Sequence, residues 1–157
     1  MSSSSRDRLS RLALLCMACG LAVGCSRREH WMNDTYPASG VVLVNGEHAE
    51  GALIMLFPSD GPVDVRNSKP WGVVNADGSY RLGTYELEDG APPGEYDVTL
   101  VWSLGLGPDR LKGAHSVPEK AVMHVTISQT NNELPPIELS GVSVLPPPTA
   151  RSGPLTP

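Results

Sequence analysis

Alternation with a period of two constrains this chain more than any other feature. In residues 95–102, Tyr96, Val98, Leu100 and Trp102 fall on one side, and Glu95, Asp97 and Thr99 on the other. Successive side chains of a strand point to opposite faces, so this run reads as a half-buried strand and not as a helix stripe of period 3.6. Residues 121–127 repeat the pattern, with Ala121, Met123, Val125 and Ile127 lining one face, and His124, Thr126 and then Ser128 the other. Turn residues punctuate the chain roughly every 8 to 20 positions. Residues 40–44 end at Asn45-Gly46, a strong hairpin signal, and 52–57 stop at Pro58. Residues 71–74 turn through Asn75-Ala76-Asp77-Gly78 and return as 79–84, and 137–139 follow Pro135-Pro136. Seven strands are expected, in an antiparallel sandwich or barrel, with no amphipathic helix.

The first residues follow a different logic. Arg6, Arg8 and Arg11, opposed only by Asp7, precede an uncharged apolar run at 12–23, too short to span a bilayer comfortably. The run ends in Leu21-Ala22-Val23-Gly24-Cys25, which resembles the lipobox of exported bacterial lipoproteins. That resemblance implies cleavage of a signal peptide at 1–24 and lipidation of Cys25. Ala22 stands where Leu is commonest in that motif. Two or three acyl chains anchor firmly, since each buried methylene contributes about 0.8 kcal/mol. Ser26, rather than Asp, after the cysteine resembles the outer-membrane sorting pattern. The expected address is therefore the cell envelope, lipid-anchored, at the outer membrane and not in the cytoplasm.

Removing residues 1–24 leaves about 130 residues, a size that one core can serve. The removed segment holds three Arg and one Asp, so the formal net charge moves from −5 to −7. A mildly acidic chain with scattered Lys and Arg carries no nucleic-acid footprint. Cys16 and Cys19 belong to the signal, so Cys16-Met17-Ala18-Cys19 is not a redox or metal motif, and a lipidated Cys25 leaves no disulfide. Residues 25–38 read as a lipidated polar tether, 39–141 as the folded domain, and 142–157 as a proline-rich disordered tail.

Three segments resemble carboxypeptidase-regulatory-like, or transthyretin-like, sandwich domains. They are Gly40-x-Val42 with Asn45-Gly46 and Gly51-Ala52-x-Ile54-x-Leu56; residues 73–82 around Asp77-Gly78-Ser79-Tyr80-x-Leu82; and Pro93-Gly94-Glu95-Tyr96-x-Val98. Val117-Pro118-Glu119-Lys120 is similar to a segment of small lipoproteins of this type. The resemblance spans about residues 39–140 and implies a seven-stranded Greek-key β-sandwich that serves as a binding or accessory module. The hydroxyisourate hydrolase of that group carries a C-terminal Tyr-Arg-Gly-Ser signature that the proline-rich end here lacks.

Chemistry-bearing motifs are missing from the mature sequence. It holds no G-x-S-x-G elbow, H-E-x-x-H pair, phosphate loop or zinc-type cysteine pair. His30, His48, His115 and His124 are scattered, so each reads as solvated or structural. Asn75 and Asp77, with Glu86, Glu88 and Asp89, offer oxygens for a hard cation but lack EF-hand spacing, so turns are expected there and no metal. No catalytic residue and no cofactor are expected. Binding has two candidate places. One is the long connection at 103–119, where glycines favour plain flexibility. The other is an apolar face: with Val42, Val44, Ile54 and Leu56 inward, Val41, Leu43, Leu53, Met55 and Phe57 point away. Cover from the chain itself is the simpler expectation; the alternative is an envelope protein partner. Carbohydrate is a second ligand class, with Trp31, Trp71, Trp102, Tyr80, Tyr85 and Tyr96 as its aromatic candidates, provided that two or more stand exposed side by side.

Overall fold

The computed structural model describes residues 29–103, 105 and 107–147. The signal peptide expected at 1–24, Cys25 and residues 148–157 lie outside the described residues. The folded body begins at Trp31. Its strands are β1 Ala38–Val44, β2 Glu47–His48, β3 Leu53–Pro58, β4 Trp71–Val73, β5 Ser79–Arg81, β6 Gly94–Val101, β7 Met123–Ile127, β8 Asn132–Glu133 and β9 Ile137–Leu139. Each of the seven expected segments holds one of these strands. β2 and β8 are additional.

Two sheets result, and the fold is all-β. In the five-stranded sheet β1 is the hub. It runs antiparallel to β2 through Leu43↔His48 and to β5 through Gly40↔Tyr80. It runs parallel to β8 through Ser39↔Glu133 and to β9 through Leu43↔Glu138. Pro135 and Pro136 separate β8 from β9, because neither can donate to a ladder. Asn45 and Gly46 take φ of 54° and 82°, the left-handed turn that closes β1 onto β2.

The second sheet has the order β4-β3-β6-β7 and is antiparallel throughout. Its longest ladder joins β3 to β6, from Leu53↔Val101 to Pro58↔Tyr96. The sheets meet at one edge, where Trp71 and Gly83 exchange backbone hydrogen bonds of 2.9 and 2.8 Å. Gly72 makes this crossing possible: a Cβ there would lie 2.3 Å from the Arg81 carbonyl oxygen.

Between the sheets lies one core. Val42, Val44, Tyr80 and Ile137 face Ile54, Leu56, Tyr96, Val98, Leu100, Val125 and Ile127, all buried. These are the positions that the alternation assigns inward.

The body extends past both of its expected ends. Residues 31–37, read above as tether, pack on the domain, and Tyr36 exchanges backbone hydrogen bonds with Ala91 at 2.9 and 3.0 Å. At the other end Val142 and Val144 pack against the core. Asn45 holds the Val142 backbone from both sides, its Nδ2 donating to the carbonyl at 2.9 Å and its Oδ1 accepting the N–H at 3.1 Å. The ordered body thus runs past residue 141.

Candidate functional site

Val41 and Leu43 do turn away from the core, and so do Leu53, Met55 and Phe57. They do not share one face. β1 and β3 lie in different sheets that oppose each other across the core, so their outward sides look in opposite directions. The first hairpin is β1 with β2, not β1 with β3. The expected apolar surface therefore divides in two.

The larger part is the outer face of the four-stranded sheet. Side chains directly opposite on antiparallel strands share a face. Val73, Leu53 and Val101 form one row, Trp71, Met55 and Thr99 the next, and Phe57, Asp97 and His124 a third. Trp71 is 38% and Val73 48% exposed, while Leu53, Met55, Phe57 and Val101 are half-buried. Thr99 is buried, and its hydroxyl donates to the Met55 carbonyl at 3.1 Å. At the Phe57 end a groove of about 290 Å³ opens between Phe57, Pro58, Pro62, Lys69, Asp97 and Pro118. The Lys69 ammonium lies 5.5 Å from the centre of the Phe57 ring.

Polar pairs continue that face beyond the apolar rows. His124 Nδ1 lies 2.7 Å from Asp97 Oδ1, and the Thr126 hydroxyl donates to Glu95 Oε1 at 2.7 Å. Both pairs are exposed, so they orient side chains more than they stabilise the fold. The surface therefore grades from aromatic and aliphatic to charged. Trp71, Val73 and Val101 belong to it although sequence reasoning did not place them on the apolar face and named Trp71 only as an aromatic candidate for carbohydrate; the signal for Trp71 and Val73 was their alternation about the buried Gly72.

Of the acidic residues that could have served a cation, Asp77 and Asp89 are engaged with neighbouring N–H and hydroxyl groups, and Glu88 lies 4.0 Å from the Arg81 guanidinium. Asp77 accepts from the Ser79 hydroxyl at 2.6 Å and the Ser79 N–H at 2.9 Å, and these bonds hold its carboxyl below the ordinary value. Asp89 accepts from the N–H groups of Thr84, at 2.6 Å, and Tyr85. Asp109 accepts from Trp102, Leu111 and Gly113 at 2.9, 3.0 and 2.7 Å. That carboxylate organises the long connection, which buries Leu111 and stacks the Arg110 guanidinium 3.8 Å from the Trp102 ring centre. The described part of this loop is pinned to the body in spite of its glycines. Among the described residues no three His, Cys, Asp or Glu side chains converge on a point that could hold a metal ion.

The aromatic candidates scatter. Trp102, Tyr80 and Tyr96 are buried, and Trp71 is exposed on the sheet face. Trp31 and Tyr85 meet edge to face, 5.5 Å between centres, at the end of the body where β1 begins. The Arg66 guanidinium covers Trp31 at 3.8 Å. Asn33 ties the group together: its N–H donates to the Tyr85 hydroxyl at 3.1 Å and its Nδ2 to the Val63 carbonyl. Asp64, in the same loop as Arg66, feels burial that would raise its carboxyl, but bonds from Ser68 and from the Arg66 N–H outweigh it and lower the value. The two or more rings exposed side by side that a sugar platform requires are not found among these six.

Among the described residues no helix is long and apolar enough to cross a membrane. Comparison with family models, with curated proteins and with solved structures finds no match for this chain.

Proposed function

We propose that this chain is an exported lipoprotein, held at the cell envelope by lipid on Cys25, whose sandwich binds or scaffolds another envelope protein and performs no catalysis. The outer membrane is the leading address. The observation that carries the binding role is the outer face of the four-stranded sheet, where Trp71, Val73, Leu53, Met55, Phe57 and Val101 line up beside a groove. A contiguous apolar patch with a polar margin is what protein interfaces use. The engagement of Asp77, Asp89 and Asp109 with backbone N–H groups favours a structural role for these carboxylates over acid–base work. The order of β1, β3, β4, β5, β6, β7 and β9 supports reading the body as a transthyretin-like Greek key, with β2 and β8 as additions.

Two measurements test this. Intact mass of the membrane-extracted protein should begin at residue 25 and carry two or three acyl chains that Cys25→Ala abolishes. A photo-crosslinking residue placed at Val73 should give one envelope-protein adduct that the same residue at His48, on the other sheet, does not. An unacylated mass removes the anchor. Identical adducts at both positions, or none, remove the binding face.

A further inference from the structure

Two side chains stand out beyond the face just described. Val65 is 88% and Leu87 81% exposed, far more than the other outward-facing large hydrophobics among the described residues. They sit in separate loops, at 59–70 and 84–90, yet at the same end of the body. Arg66, next to Val65, stacks on Trp31; Tyr85, two positions before Leu87, meets Trp31 edge to face. Asn33 bonds to Val63 in one loop and to Tyr85 in the other. Trp31 and Asn33 thus join the two loops.

Chain length then fixes what this end faces. Six residue steps separate Cys25 from Trp31. Fully extended, they reach about 20 Å. With Cys25 acylated at the bilayer surface, Trp31 and the loops clamped around it cannot stand farther away than that. β1 runs from this end to Asn45-Gly46 at the far end, which points outward. The groups at the near end suit a membrane interface: a tyrosine with one polar edge, a guanidinium on a long apolar stem, and two bare aliphatic tips.

We infer that Val65 and Leu87 are wedges that enter the headgroup layer of the same bilayer, with Tyr85 and Arg66 at the water boundary, so that the body stands on the membrane by this end. This rests on the lipid anchor proposed above. Loop 84–90 carries Glu86, Glu88 and Asp89, and loop 59–70 sets Arg66 and Lys69 against Asp60 and Asp64, so this end has no net basic charge; insertion of apolar surface drives the contact, not attraction to anionic lipid. The orientation leaves the outer faces of both sheets turned sideways and free.

The test uses the full chain, matured in its membrane, purified and reconstituted in phosphatidylcholine vesicles. Nitroxide labels are placed through Val65→Cys, Leu87→Cys and, at the far end, Glu47→Cys. Accessibility to oxygen and to a water-soluble nickel complex reads depth, and intact mass reads acylation on the same samples. The expected result is acylated protein with labels at 65 and 87 shifted to the lipid-like ratio, the label at 47 aqueous, and no dependence on added anionic lipid. Acylated, vesicle-bound protein with 65 and 87 still aqueous overturns this inference and leaves the anchor standing. Unacylated protein overturns the anchor and this inference with it. Labels at 65 and 87 that are shielded before vesicles are added, by a co-purifying protein, overturn it in favour of a protein partner.

Discussion

In the four-stranded sheet β3 and β6 pair along nearly their whole length, and β4 and β7 extend them on either side. In the five-stranded sheet no comparable ladder exists: β2, β5, β8 and β9 are two or three residues long, and all of them pair with β1. One sheet distributes its cohesion among long neighbours, and the other concentrates it in a single strand. Each sheet also buries one tyrosine from the core side, and the two are held differently. Tyr96 donates its hydroxyl to the Pro92 carbonyl at 2.8 Å. Tyr80 buries its hydroxyl without a protein partner and lays its ring against Gly40, directly opposite on β1. A continuous sheet can position a polar atom well. A sheet assembled from fragments tolerates an unpaired one where its hub needs bulk.

The largest test removes mass from each centre. Ile54→Ala in β3 should destabilise by about 3 kcal/mol in equilibrium urea unfolding, through lost burial and the cavity left behind. Val42→Ala in β1 deletes less and should cost less. An equal cost would mean that the hub strand carries more than its side-chain volume. Next comes Gly40→Ala, whose new Cβ would lie 2.6, 2.8 and 2.9 Å from Tyr80 Oη, Cζ and Cε1. Tyr80 has no room to retreat, so a loss of about 2 kcal/mol is expected. Adding Tyr80→Phe should not restore it, because the two carbons remain.

The tyrosines give the smallest and sharpest contrast. Tyr96→Phe should cost about 1 kcal/mol, and Tyr80→Phe should be neutral or slightly stabilising, since it deletes a buried hydroxyl with no partner. Equal losses in the two variants would erase the distinction drawn between the sheets. Burial pushes the Tyr80 hydroxyl up to about 12 and raises that of Tyr96 as well. Across that window the folded chain holds protons that the unfolded chain releases, so stability is complete below about pH 10 and falls as pH rises towards 12. Tyr80→Phe should flatten part of that decline, measured as urea midpoint against pH.

The strands were legible because alternation and turn chemistry are local. Asn45-Gly46 and Asp77-Gly78 mark their turns, and the inward positions follow from period two. What alternation cannot encode is partnership. It separates Val41 from Val42 and Met55 from Ile54, but a sandwich has two outsides, and only pairing decides which one a residue joins. That is why Val41 and Leu43 part from Leu53, Met55 and Phe57, and why Trp71 and Val73 were not placed beside Leu53 and Met55. β2 and β8 are too short to hold a period and exist because β1 offers them an edge. Residues 31–37 read as polar tether by count, although Trp31 and Tyr36 carried the contrary signal. In the long loop the glycines were visible, whereas the three backbone groups gathered by Asp109 form only once the chain has turned around that carboxylate.

The position of β1 also sets an order of events. Its residues Ala38–Val44 are made early, yet two of its partners, β8 and β9, are the last strands of the chain. Pairing over such sequence separation requires closing a long loop before any ladder rewards it, which slows folding. As the chain leaves the ribosome, the four-stranded sheet can assemble once residue 127 has emerged, but the hub strand must wait for residue 139 with one edge open. Synthesis of the final strands supplies the partners that close that edge.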